Sequence, residues 1–263
     1  MFFSLSSWQL GLLLTVILFG ATLIGLTIGR ILSHHVEALR EPFGAVQAAL
    51  LTLVGLVLAF GLAMAVGRYD SRRAAVVDDA NAIGTAYLRA QLLDEPARSR
   101  SLPLFVAYTD ASLALSRAVP GTAAAKRAIA SESEIQRRLW RLTGTAVATA
   151  PTDSAPRLYV ESLNTMIDMQ TTRVAALNNR VPGAILLVEV LGAATALGLM
   201  GLYLGILSRG VVTVLLAAGL LTVLLFVSFD LDRPERGFIK IPSAPLAALR
   251  ASMDLPPAAG GTR

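Results

Sequence analysis

Apolar residues are concentrated in four blocks along the chain, at residues 8–31, 44–66, 183–207 and 211–229. A helix needs about 20 apolar residues to cross the hydrocarbon core of a bilayer, and each block is close to that length. No Lys or Arg precedes the first block, and Arg30 closes it without a small-residue cleavage site, so we expect a retained membrane helix rather than a signal peptide. The pattern predicts an all-α membrane protein with four transmembrane helices.

The second apolar block runs directly into a polar segment that keeps a helical pattern. Gly67 and the charged stretch Arg68 to Arg73 follow the block, and no further Gly or Pro occurs until Gly84. This continuity predicts one helix over residues 43–93, half in lipid and half in water. The inward face expected for the polar half comprises Val77, Ala80, Asn81, Gly84 and Leu88.

The polar region between the second and third apolar blocks shows helical periodicity and predicts three further helices, at residues 101–119, 122–148 and 157–179. The apolar face expected for the middle one comprises Ile135, Leu139, Trp140 and Leu142. Amphipathic faces of this kind need partners, so we expect a helical bundle inserted between the second and third transmembrane helices. A short helix is expected near the end of the chain, at residues 244–253.

The expected domain organisation follows from these elements. It comprises the first transmembrane helix with a short external link (1–42), the second transmembrane helix (43–66), a cytoplasmic helical domain (67–181), a hairpin of the third and fourth transmembrane helices (182–229) and a cytoplasmic tail (230–263).

Composition narrows the function classes. Hydrophobic residues make up 54% of the chain and charged residues only 16%, against about 25% in a typical soluble domain. The chain has no Cys, which excludes disulfides and thiolate sites, and its two His are the neighbours His34 and His35. With Glu37 these could be offered as metal ligands, but a solvated turn is the simpler interpretation. We expect no metal site, no cofactor and no enzymatic activity, because no catalytic set can be assembled.

The distribution of positive charge predicts the orientation. Of the 23 Lys and Arg residues, only Arg30, Arg40 and Arg209 fall in the short links between membrane helices. The positive-inside rule therefore places both termini and the helical domain in the cytoplasm, with the protein in the inner membrane. The net charge of +5 is explained by this membrane arrangement, and a nucleic-acid partner is not expected.

Several polar and apolar positions are candidates for function. Leu56, Phe60 and Met64 lie four residues apart on one helix face; they could form a packing stripe, which the spacing favours, or a hydrophobic constriction of a pore. Glu189 is an ionisable residue inside an apolar block, so it could make an interfacial or interhelical polar contact or lie on an ion path.

A second polar candidate is the cluster Asp78, Asp79 and Asn81, on the water-exposed half of the long helix. Adjacent residues on a helix point about 100° apart, so the two carboxylates do not converge within one chain. We expect one of them to pair with Arg173 or Arg180 and the other to be solvated.

The junction at the end of the second apolar block resembles the bestrophin family. Phe60 is followed eight residues later by Arg68 and then by the aromatic Tyr69. Further motifs are similar, in the same order, to a bacterial membrane domain described as bestrophin-like, and this similarity runs across most of residues 45–253. They comprise residues 77–89 (VDDANAIGTAYLR), 162–168 with Arg173, 179–183, 230–237 and 245–250.

The resemblance implies a function. Bestrophins are pentameric anion channels whose second membrane helix lines the pore, with a hydrophobic neck at spacings of four. Matched through Phe60 and Arg68, the neck positions of this sequence would be Thr52, Leu56 and Phe60. The sequence departs from the pattern because only Phe60 is aromatic and Thr52 is polar. The acidic calcium-binding segment of animal bestrophins has no counterpart, so calcium gating is not implied.

In such an oligomer Arg68, Arg72 and Arg73 would repeat around the cytoplasmic mouth and raise the local anion concentration. The alternative is that they are the ordinary positive-inside signal. The expected function is an oligomeric passive anion channel. A non-conducting membrane scaffold or sensor, whose cytoplasmic bundle binds a partner protein, is the alternative.

Overall fold

The computed structural model describes residues 5–33 and 40–259 of the chain, and the side chains of the second range from residue 44 onward. Every regular element in these ranges is an α-helix, as the sequence predicts. The helices are α1 (Ser7–Leu32), α2 (Arg40–Ala90), α3 (Ala97–Arg117), α4 (Ala123–Thr149), α5 (Ser154–Asn178), α6 (Gly183–Ile206), α7 (Val211–Leu231) and α8 (Ala244–Ser252). His34, His35 and Glu37, the residues considered as metal ligands, lie outside the described residues.

Four helical stretches are long and apolar enough to cross a membrane: Ser7–Leu32, Gly44–Ala90, Ser154–Ile206 and Val211–Leu231. The third includes both α5 and α6, and its apolar part is α6. The prediction of four membrane-spanning helices is confirmed at this level. α2 is a single helix of 51 residues that begins apolar and continues through charged sequence, as its pattern predicts.

The chain divides into two compact units. The membrane unit consists of Met1–Arg68 and Arg180–Ile239, and the bundle unit consists of Tyr69–Asn179 and Lys240–Arg263. α2 contributes to both units, because its first part belongs to the membrane unit and its second part to the bundle unit.

Within the membrane unit, α1 and α6 pack at glycine-to-backbone distance. A Cβ added to Gly25 would lie 2.0 Å from the carbonyl oxygen of Gly198, and one added to Gly29 would lie 2.2 Å from that of Leu202. Gly201 and Gly205 on α6 have equally little room against α1. Small residues allow this approach, which gives dispersion contacts in lipid, where the hydrophobic effect does not drive helices together.

Two buried carboxylates in the membrane unit bind the segments that precede α6 and follow α7. Asp230, at the end of α7, accepts hydrogen bonds from the backbone N–H of Ile239 at 2.9 Å and from the Ser7 hydroxyl at 3.4 Å. Asp232 accepts from the backbone N–H of Val181, just before α6, at 2.8 Å. These acids satisfy backbone N–H groups in the segments just before α6 and after α7, which lie outside the helices.

The bundle unit is built from the second part of α2 with α3, α4, α5 and α8. The residues that α2 buries there include Val76, Ala80, Ile83, Tyr87 and Ala90. On the predicted inward face, Ala80 is buried as expected, but the face is displaced by about one residue, since Val77 is 38% and Leu88 55% exposed and Asn81 is also exposed. On α4, Ile135 and Leu139 are buried as predicted, but Trp140 is 44% exposed.

Candidate functional site

The candidate pore residues all lie on the membrane part of α2, on the side that faces away from the other described helices. Leu56 and Phe60 are 54% and 62% exposed, Thr52 is exposed, and Met64 is partly buried. The opposite side of α2 is the packed one, with Leu58, Gly61 and Ala65 buried. Within one chain, the stripe of Leu56 and Phe60 is therefore mostly exposed.

The three arginines that follow the apolar block have different surroundings. Arg72, in the bundle unit, is buried and donates from Nε to the carbonyl of Ala176 at 3.2 Å and from Nη2 to that of Asn179 at 2.6 Å. These carbonyls end α5, so the guanidinium caps the negative end of that helix dipole. Arg73 is exposed and Arg68 is partly buried. Arg72 therefore has a structural role that its sequence position does not indicate.

A buried ion pair joins three helices of the bundle unit. Arg173 on α5 donates from Nη1 to Oδ2 of Asp79 on α2 at 2.7 Å, and both side chains are at most 1% exposed. Ser112 on α3 donates to the same carboxylate oxygen at 3.0 Å, and its backbone carbonyl accepts from Nη2 of Arg173 at 3.1 Å. The expected pairing of one carboxylate with Arg173 is confirmed, and the paired carboxylate is Asp79.

The neighbouring carboxylate, Asp78, is exposed, as expected for the solvated member of the pair. With Asn81 it lines an open groove of about 380 Å³ between α2 and α5, next to Arg89 and Glu161. Arg89 lies 3.8 Å from the Glu161 carboxylate and donates to the carbonyl of Leu158. Asp78, Asp79 and Asn81 therefore do not form one site.

A second buried acid lies in the bundle core and was missed by the sequence analysis. Glu132 on α4 is fully buried and accepts one hydrogen bond at Oε2, from Gln170 on α5 at 3.1 Å. Burial raises the pKa of its carboxyl from 4.5 to about 7, although Gln170 and the charge of Arg173 act in the opposite direction. Glu132 and Gln136 lie four residues apart on the buried face of α4, and this spacing is the sequence signal that could have indicated a buried polar pair.

Glu132 predicts a pH dependence of stability. The folded chain holds the proton up to about pH 7, whereas the unfolded chain releases it near pH 4.5, so the folded state binds more protons in between. The contribution of Glu132 to the free energy of unfolding is therefore fully present below pH 4.5. It decreases as the pH rises to about 7 and does not change further above that pH. We expect a loss of up to about 3 kcal/mol over this window.

Denaturant unfolding at a series of pH values, followed by Trp140 fluorescence in a Trp8→Phe background, measures this loss, because the chain has only two Trp. Glu132→Gln should flatten the profile, whereas Glu134→Gln, on the exposed side of α4, should leave it unchanged. A Glu132→Gln variant with the original slope would refute the assignment.

Glu189 lies in the membrane unit between α6 and α2. Its side chain is 1% exposed, and neither carboxylate oxygen has a hydrogen-bond partner among the described residues. It lies over Gly61, where an added Cβ would be 1.5 Å from Oε1. The sequence indicates an interhelical or ion-path role; the structure shows an interhelical position without a polar contact.

The described residues contain no group of three or more His, Asp or Glu that could hold a metal ion. The main features of the candidate site are a long helix with an exposed apolar stripe, arginines that follow the stripe in sequence and, within the bundle unit, a buried ion pair.

These features define a class: a helical membrane protein with four candidate membrane-spanning helices, whose second helix continues into a helical bundle. The chain belongs to the family of the Bestrophin-like domain, whose family model matches residues 13–246. Among curated proteins, no sequence matches the chain.

Solved structures of a bacterial bestrophin homolog from Klebsiella pneumoniae have a similar fold. One variant with a single substitution has a TM-score of 0.66 at 14% identity, covering 90% of this chain and 97% of that chain. A second variant has a TM-score of 0.66 at 15% identity with the same coverage. The structure phased with zinc has a TM-score of 0.65 at 14% identity, covering 89% and 96%. At these identities the similarity establishes the shared fold.

Proposed function

We propose that the protein is a homo-oligomeric channel that conducts small anions passively across the inner membrane. Both termini and the bundle unit are assigned to the cytoplasm, in accord with the excess of Lys and Arg in those segments. The oligomer expected from the family is a pentamer, and its partners are the lipid bilayer and the permeating anions.

The observation that carries this proposal is the outward face of α2. In the single chain, two apolar side chains of this membrane helix are mostly exposed, Leu56 at 54% and Phe60 at 62%. When several copies assemble with α2 innermost, these side chains line a common axis. Rings of apolar side chains then form a constriction that controls hydration of the path. Family membership supports this arrangement.

Anion preference would come from positive charge at the end of the path rather than from a tight binding site. Arg73 is exposed, and repetition of Arg68 and Arg73 around the axis would concentrate anions. Arg72 contributes differently, since its guanidinium caps α5. Replacement of Arg72 should therefore reduce stability, and replacement of Arg73 should reduce anion over cation preference without unfolding the bundle.

Flux measurements with Phe60→Ala test the channel. Loss of the ring widens the constriction, so we expect chloride efflux from liposomes containing the purified variant to rise several-fold over the parent chain. Val66→Ala is the matched control, because Val66 is also exposed on α2 but lies about 120° around the helix. No chloride flux above empty liposomes for both parent and Phe60→Ala would contradict the proposal, as would equal effects of the two substitutions.

The alternative, a non-conducting scaffold or sensor, has one observation in its favour. An open groove of about 730 Å³ in the bundle unit is lined by Trp140, Arg137, Arg141 and Ile167, and a partner segment could bind there. Trp140→Ala and Arg141→Ala would then abolish partner capture by the purified protein. The same variants should leave chloride flux unchanged if the channel proposal holds.

A further inference from the structure

We propose that the open groove between α4 and α5 binds a small planar aromatic carboxylate whose ring carries an N–H donor. The site lies entirely within the bundle unit and does not depend on the proposed channel function. Three features of the groove select this chemistry: a largely buried amide with an open acceptor, an exposed aromatic wall, and a guanidinium that no described carboxylate pairs with.

The groove encloses about 730 Å³, which lies within the range of small-molecule sites. The scaffold alternative would use the same groove for a partner segment, but one buried acceptor and one available guanidinium match the few polar groups of a small ligand. The side chains that carry the argument are Gln136, Trp140 and Arg141 from α4 and Ile167 from α5.

Gln136 is the buried residue among those that line the groove. Its side chain is 9% exposed, and its Nε2 donates to the hydroxyl of Tyr108 on α3 at 3.1 Å. Its Oε1 accepts no hydrogen bond from a described residue and, unlike Oε1 of Glu132, is not shielded from solvent. A largely buried acceptor is favourable only when a donor reaches it. The hydrogen bond to Tyr108 holds the amide in place, so Oε1 is positioned to accept from an N–H group of a ligand.

Trp140 and Ile167 give the groove an apolar wall that suits a flat ring. Trp140 is 44% exposed, and Ile167 is partly buried and packs against the bundle core. Trp140 follows Gln136 by four residues, so the two side chains lie on the same face of α4. A planar ring can therefore stack on the exposed indole while an N–H group at its edge reaches Oε1 of Gln136.

Arg141 supplies the counter-charge for an anion. It is exposed and makes no ion pair with a described residue, whereas Arg137 donates from Nε to Glu134 at 3.2 Å. Arg141 lies five residues after Gln136, about 7.5 Å along the helix axis, so a ring and a short link separate the donor of the ligand from its anionic end. A guanidinium binds a carboxylate through two parallel N–H···O hydrogen bonds, and one guanidinium matches one carboxylate.

Equilibrium dialysis of radiolabelled indoleacetic acid against the full-length protein in nanodiscs tests the inference, with empty nanodiscs measuring partition into lipid. We expect saturable binding to the parent chain. N-methylindoleacetic acid lacks the N–H donor, and tryptophol has an alcohol in place of the carboxylate. Each should compete about tenfold more weakly than unlabelled indoleacetic acid, because each loses one of the inferred hydrogen-bonding contacts.

Substitutions at exposed positions assign the contacts without disturbing the bundle core. Arg141→Gln removes the guanidinium and Trp140→Leu removes the aromatic wall, and each should weaken binding about tenfold. Arg138→Gln is the matched control for charge, because Arg138 is exposed on the same helix but does not line the groove. We expect this variant to bind indoleacetic acid like the parent chain.

Three results would overturn the inference. Equal weakening by Arg138→Gln and Arg141→Gln would show attraction to the overall positive charge of α4 rather than a site. Equal competition by N-methylindoleacetic acid would show that Gln136 does not accept from the ligand. Absence of saturable binding to the parent chain would show that the groove holds no aromatic carboxylate and would leave it to a partner protein. None of these results bears on the channel, which chloride flux tests separately.

Discussion

Arg173→Met is expected to destabilise the bundle unit by about 3–5 kcal/mol, a large fraction of the about 5–15 kcal/mol that stabilises an ordinary domain. The substitution leaves Asp79 as a fully buried carboxylate with only the Ser112 hydroxyl as a donor. It also removes the hydrogen bond from the guanidinium to the carbonyl of Ser112, which ties α5 to α3. The loss is large because a buried charge without its partner costs more than the pair contributes.

The unfolding free energy is measured by denaturant titration with Trp140 as the reporter in the Trp8→Phe background. Arg98→Met, which removes an exposed pair with Glu95, is the control and should unfold close to the parent chain, because solvent screens an exposed ion pair. The double variant Asp79→Leu with Arg173→Met should regain most of the loss, because no buried charge remains. Equal losses for Arg98→Met and Arg173→Met would show that Asp79 and Arg173 do not hold the bundle together.

Gly25→Val should disrupt the membrane unit with a cost of about 3 kcal/mol or more. A Cβ at this position would lie 2.0 Å from the carbonyl oxygen of Gly198, and a backbone atom cannot move aside as a flexible side chain can. The α1–α6 seam would have to separate along its length, since Gly29 and Gly205 are equally close to the opposite backbone. The remaining contacts cannot recover the lost dispersion energy in lipid.

Gly20→Val on the same helix is the matched control, because nothing lies within 4 Å of the Cβ it would add. Unfolding in mixed micelles, followed by Trp8 fluorescence in a Trp140→Phe background, compares the two variants. We expect Gly20→Val to unfold at a denaturant concentration close to that of the parent chain, and Gly25→Val to unfold at a much lower concentration. Similar midpoints would mean that α1 and α6 are not in close contact.

The sequence predicts the helices well because Pro and Gly mark their ends. α6 begins after Pro182 and α7 follows Gly210, whose positive φ of 75° suits glycine. The inward face of α2 was predicted one residue out of register. Residues 74–77 are Ala-Ala-Val-Val and offer little contrast in hydrophobicity, so the periodicity does not fix which face is buried. Trp140 follows Leu139 in the expected apolar face of α4, yet it is 44% exposed and lines an open groove.

The residues of the candidate site are harder to predict from the sequence than the helices are. Arg72 and Arg73 are neighbours with the same charge, but one caps α5 and the other is exposed, and only the path of α5 distinguishes them. Arg173, the partner of Asp79, is 94 residues away in sequence. The sequence analysis reduced the candidates for this partner to Arg173 and Arg180. Glu132 was missed because its burial depends on how α4 packs. The exposure of Phe60 also depends on tertiary packing, since the spacing of the stripe favours a packed face but is compatible with a pore-lining one.

The central claim, that α2 lines a path formed by several copies of the chain, is tested most directly by the mass of the intact complex. Native mass spectrometry of the purified protein released from nanodiscs reports the number of 27.7 kDa chains per particle. We expect a pentamer, with Leu56 and Phe60 around its axis. A monomer under conditions that keep the fold intact would leave α2 no ring to line, and the protein would then not be the proposed channel.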